Sequence, residues 1–157
     1  MIAADIMTEN PRTVQPTDPV SHAVELLQSN NVRHLPVVDG RGQLVGMLSD
    51  RDLGPLMRTL IEGADIERMV MPVSQRQVAE FMTGGVATVT PEADVSEAID
   101  LMLDERIGAV PVVDEADHLR GIISYVDVLR SCSPDVPRGE AGGGVTRSVA
   151  ERRGVPT

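Results

Sequence analysis

Apolar positions along this chain fall into two kinds of run, and the two kinds alternate. Val20, Ala23, Val24 and Leu27 recur at i, i+3, i+4 and i+7, the spacing of one buried stripe on an α-helix. Leu35-Pro36-Val37-Val38 is instead an unbroken apolar run, the pattern of a strand covered on both faces. Asp39-Gly40-Arg41-Gly42 reads as a turn. Leu44 to Leu48 reads as a second strand ending at Ser49, where a further helix is expected to start. Upstream, Thr13-Val14 is a short β-prone pair closed by Pro16, and Asp18-Pro19 reads as helix N-cap and first helical position. The predicted order is β-α-β-β-α.

The same order returns in register. Residues 7–53 align with 82–128 without a gap, and Met7/Met82, Pro16/Pro91, Pro36/Pro111, Gly46/Gly121 and Asp52/Asp127 all stand 75 positions apart. Val95, Ala98, Ile99 and Met102 repeat the helical stripe, behind a capping box of Asp94 and Glu97. Val110 to Val113 repeats the buried strand, Asp114 to Asp117 the turn, and Leu119 to Ile123 the second strand. The fold class is α/β (α+β), with two β-α-β-β-α copies. One copy alone has too little core to be stable, so the two are expected to pack together. The expected organisation is copy one over 3–60, an amphipathic helical connector over 61–78 interrupted by Gly63 and Pro72, copy two over 79–131, and a mobile Gly- and Pro-rich tail over 132–157.

Composition narrows the functions. The chain has 157 residues, a formal net charge of −10 and no basic run beyond Arg152-Arg153, which disfavours nucleic acid as a partner. Phe81 and Tyr125 are the only aromatic residues, so the core is aliphatic, with eight methionines to fill it and its interfaces, and a planar ligand must be held by aliphatic side chains, Arg, His or Tyr125. Cys132 is alone, no apolar run reaches membrane-span length, and the acidic N-terminus lacks the basic start of a signal peptide. A cytoplasmic protein with no membrane association is expected. No metal-ligand spacing, nucleophile–base pair or P-loop occurs, so an enzyme is not expected.

The densest polar cluster is Gly-Met-Leu-Ser-Asp-Arg-Asp-Leu at 46–53, with its twin Gly-Ile-Ile-Ser-Tyr-Val-Asp-Val at 121–128. The twins share Gly, Ser and the last Asp. Gly46 is read as permitting close approach of a ligand. Ser49 and Ser124 set a hydroxyl beside the unpaired N–H groups of a helix start, which favour an anion. Asp52 and Asp127, three residues on, offer a carboxylate able to accept from a vicinal diol. The same Ser-x-x-Asp is also an ordinary helix cap. Arg33-His34, where the second copy has Gly108-Ala109, are either surface charge or contacts to phosphate or base. Arg51 either reaches a phosphate or pairs with Asp50 or Asp52; Tyr125 either stacks on a base or covers the core edge.

The duplicated Pro-Val-Val-Asp followed by Gly-x-x-Ser-x-x-Asp resembles a tandem pair of CBS (cystathionine-β-synthase) domains, over about residues 3–131. The resemblance implies a disc with a pseudo-twofold axis and two clefts that bind adenine nucleotides (AMP, ADP, ATP) or S-adenosylmethionine. It also implies a homodimer. One cleft would combine Arg12, Thr13, Val32 and Arg33 with Ile122, Ser124 and Asp127. The other would combine Ala87, Thr88, Ile107 and Gly108 with Met47, Ser49 and Asp52. The function implied is regulatory, acting in trans on an effector protein. The alternative is a dimerisation or interaction module whose clefts are degenerate.

Overall fold

The structure, a computed structural model, describes residues 1–54 and 75–133. Most of the expected connector and nearly all of the expected tail lie outside the described residues. In chain order the elements are α1 (Ala3–Ile6), β1 (Thr8–Glu9), α2 (Val20–Ser29), β2 (His34–Val38), β3 (Leu44–Ser49), a 3-10 turn at Val78–Glu80, α3 (Val95–Asp104), β4 (Ala109–Val113), β5 (Leu119–Ser124) and α4 (Tyr125–Ser131).

The apolar pattern places α2, α3 and the two antiparallel strand pairs as expected. Val20, Ala23, Val24 and Leu27 are the buried face of α2. Every residue of β4, and all of β2 except His34, is buried. β2 pairs antiparallel with β3, and β4 with β5. The β-prone pairs add a further parallel bridge to each sheet, Val14 to Val37 and Val89 to Val112. Asp94 accepts from the Ser96 N–H at 2.9 Å, while the Asp94 N–H donates to Glu97 at 3.2 Å, which completes the expected capping box. Donation from the Ser96 backbone holds the Asp94 carboxyl below its ordinary pKa. Helix α2 departs from expectation: it starts at Val20, and Asp18 accepts from the Gln15 N–H at 2.8 Å rather than capping the helix. The first copy's closing helix falls outside the described residues beyond Gly54.

The duplication extends to the backbone. The described residues with positive φ are Asn10 and Gly85, Asn31 and Arg106, and Gly42 and Asp117, three pairs each 75 positions apart. Gly42 and Asp117 close equivalent turns, in which Asp39 and Asp114 each accept two backbone N–H bonds. The two turns also join the copies: Leu44 N–H donates to the Asp117 carbonyl at 2.9 Å and Leu119 N–H to that of Gly42 at 3.2 Å.

The copies exchange their leading segments, which the sequence pattern did not indicate. Strand β1 pairs with β5 of the other copy, Thr8 opposite Ile122, and Thr83 bridges Met47 in the equivalent place. Ala3, Ile6 and Met7 therefore enter the core formed by Val89, Ala98, Val110, Val112 and Ile123. Val78, Phe81 and Met82 enter the core formed by Val14, Leu27, Leu35, Val37 and Leu48. Each core is completed by the other copy, so neither half buries its apolar surface alone.

Candidate functional site

Two cavities of similar size, about 590 and 570 Å³, open where the copies meet. Met47, Ser49 and Asp52 line the first from one side, with Ala87, Ile107 and Gly108 opposite. Ile122, Ser124 and Asp127 line the second, with Arg12, Val32 and Arg33 opposite. Twelve of the fourteen expected site residues thus fall on the linings, in the expected crosswise combination; Thr13 and Thr88 are on neither. Their neighbours Val14 and Val89 bridge to β2 and β4, which commits this backbone to the sheets.

Each Ser-x-x-Asp forms a closed local ring. Asp52 Oδ2 accepts from the Ser49 N–H at 2.8 Å and from its Oγ at 3.0 Å. Asp127 Oδ2 accepts from the Ser124 N–H and Oγ, both at 2.7 Å, while the Asp127 N–H donates weakly back to Ser124 Oγ at 3.4 Å. The capping arrangement is therefore present at α4, and each ring fixes its carboxylate at a cleft wall. All these bonds use Oδ2, so among the described residues the Oδ1 atoms accept none.

Gly46 has a different role from the ligand approach expected of it, and Gly121 shares that role. A Cβ on Gly46 would lie 2.8 Å from the Thr83 carbonyl oxygen, and one on Gly121 would lie 2.9 Å from that of Thr8 and 2.6 Å from Met7 Sδ. The close approach is made by the exchanged segments of the chain itself.

Arginine concentrates at the clefts despite the net charge of −10. Arg33, Arg51 and Arg106 line the first, against Asp50 and Asp52. Arg12, Arg33 and Arg130 line the second, against Asp127. Among the described residues both therefore carry an excess of guanidinium groups, which suits a phosphate. Arg106 and Arg130 were not singled out from the sequence. The signal for Arg106 was its place 75 positions after Asn31: both close a helix in the left-handed region, at φ 53° and 50°. Asparagine adopts that conformation readily and arginine does not. We expect Arg106→Asn to raise stability by about 1 kcal/mol, while weakening binding of a phosphorylated ligand in the first cleft. Denaturant unfolding and ligand titration on the same variant check both.

Burial, only partly opposed by the Asp50 carboxylate, pushes the His34 imidazole below its ordinary pKa of 6.5. Its ring packs against Gly108: a Cβ there would be 3.0 Å from His34 Cε1 and 3.8 Å from Tyr125 Cδ1. Tyr125 is 42% exposed and lines both clefts, so it faces the ligand space. Met102, expected in the core, lines the first cleft as well as packing on the second core. No group of His, Cys, Asp and Glu able to hold a metal occurs among the described residues, and none of their helices is long and apolar enough to cross a membrane.

Comparison with known proteins matches residues 3–53 and 78–133 to the CBS domain. The CBS domain-containing protein YhcV of Bacillus subtilis is 33% identical over 79% of this chain and 80% of its own length. Two solved structures share the fold at higher coverage. CBSX2 of Arabidopsis thaliana, in complex with AMP, is 31% identical with a TM-score of 0.69, covering 83% of this chain and 95% of that one. The CBS domain pair of protein MJ0100, in complex with 5′-methylthioadenosine and S-adenosyl-L-methionine, is 26% identical with a TM-score of 0.70, covering 85% and 97%. The chain spans only 23% of the length of two enzymes it also matches, a homoserine O-acetyltransferase and an inosine-5′-monophosphate dehydrogenase.

Proposed function

The chain belongs to the CBS domain family, and from that premise we propose that it is a regulatory module that binds adenine nucleotides or a related adenosyl ligand in its two clefts. The occupied module signals in trans to an effector protein and works as a homodimer. The observation that carries this reading is the pairing, in each cleft, of a fixed carboxylate with several arginines. In this reading Asp52 or Asp127 accepts from the ribose diol, and the guanidinium groups that line each cleft hold the phosphate. The complexes of CBSX2 with AMP and of MJ0100 with adenosyl ligands support the same ligand class here.

Thermal unfolding with AMP, ADP, ATP and S-adenosylmethionine tests it. A ligand at tenfold its Kd adds about 1.4 kcal/mol of stability, a rise of roughly 3–6 °C for a chain of this size. No shift with any of the four at millimolar concentration sinks the nucleotide reading.

The closed Ser-x-x-Asp rings favour a second reading, an interaction module in which this motif only caps helices. The two readings separate on whether loss of the carboxylate changes ligand affinity or stability alone.

A further inference from the structure

The two clefts are not independent compartments. Arg33, His34, Ala109 and Tyr125 line both of them. His34 and Ala109 occupy equivalent places in the two copies, as do Arg33 and Gly108, so at these two positions the first copy supplies polar side chains and the second supplies space. The contact between the His34 ring and Gly108 shows how that space is used. A symmetric pair would place a cation at each cleft; here one guanidinium and one imidazole stand between two.

We propose that Arg33 and His34 form a single phosphate seat serving both clefts, so that two phosphorylated ligands bind one chain anticooperatively while phosphate-free adenosyl ligands do not compete. The inference rests on the nucleotide reading above. A guanidinium that forks onto one phosphate is committed in geometry and charge, and cannot offer the same bonds to a second. The first ligand also leaves an anion beside the remaining cleft. The other charged groups among the described residues do not equalise this: Arg51, Arg106, Asp50 and Asp52 are confined to the first cleft, Arg12, Arg130 and Asp127 to the second. The clefts retain their own arginines, so the second ligand is weakened, not excluded.

The test compares AMP with 5′-methylthioadenosine, which carries the nucleoside without the phosphate. Calorimetric titration of the full chain gives two stepwise Kd values for each ligand. Their ratio for methylthioadenosine measures how far the nucleoside-binding parts of the clefts differ intrinsically. We expect the second-to-first ratio for AMP to exceed it by about tenfold or more. In Arg33→Gly/His34→Ala, which gives copy one the residues of copy two, the two ratios should converge, with a cooperative thermal melt showing that the fold remains intact. Tyr125, the only tyrosine in a chain without tryptophan, reports both steps by its intrinsic fluorescence. Equal ratios for the two ligands in the parent chain overturn the shared seat and leave the nucleotide reading standing. A second AMP that binds neither parent nor variant also overturns it. Failure of AMP to bind at all overturns both.

Discussion

Gly121→Ala is expected to destabilise the protein by about 3 kcal/mol, and Gly46→Ala by a similar amount. Each glycine lies in the middle of a strand, where a residue with a side chain would ordinarily pack better. Neither has a positive φ, so backbone conformation does not require glycine at either place. What requires it is proximity. At Gly121 the added methyl meets the Thr8 carbonyl oxygen at 2.9 Å, an atom held by the ladder between β1 and β5. Met7 Sδ, at 2.6 Å, can swing aside, but Thr8 can move only by loosening that ladder. Yielding there also disturbs α1, whose Ala3 is fully buried in the second core and whose Ala3 N–H donates to the Ala93 carbonyl at 2.8 Å. The melting temperature should fall by roughly 6–12 °C, and amide exchange should accelerate first in residues 2–9 for Gly121→Ala and in residues 77–84 for Gly46→Ala. A variant that melts with the parent protein would mean that the exchanged segments are not held as described.

These glycines also mark what the sequence could and could not convey. Their recurrence at equivalent positions was plain, and so was their place just before each Ser-x-x-Asp. The partner they approach was not, because hydrophobic periodicity reports which face of an element is buried and not which copy buries it. Met7 and Thr8 read as the start of copy one, yet they complete copy two. Helices α2, α3 and α4, the buried strands and the Asp94 cap were legible because each depends on neighbours within a few residues. Asp18 failed as a cap because the Asp18 carbonyl accepts from the Val78 N–H at 2.9 Å, a tertiary contact that sets where α2 begins. The crosswise cleft linings followed from the family resemblance. Arg106 was missed because its importance lies in a left-handed backbone conformation that residue type argues against.

Asp127→Ala should cost about 1 kcal/mol of stability but weaken one of the two AMP-binding steps about a hundredfold. The two numbers come from different atoms of one carboxylate. Oδ2 is occupied by the Ser124 N–H and Oγ, and its loss removes a helix cap. Oδ1 is the oxygen left to meet a ribose diol, with the negative charge behind it. Hydrogen bonds to a charged group contribute about 1.5–3 kcal/mol each, and a diol can offer two; a net loss near 2.7 kcal/mol is a hundredfold. Asp127→Asn divides the roles: its amide oxygen can still accept from Ser124, so stability should stay close to the parent value, while loss of the charge weakens AMP binding about tenfold. Asp52→Ala should act in the same way on the other step, and the double variant should lose both. Calorimetry and thermal melting on the same preparations decide the matter. If the alanine variants melt as the loss of a cap predicts but all the variants bind AMP within twofold of the parent, the carboxylates are structural and do nothing else, and the protein is an interaction module.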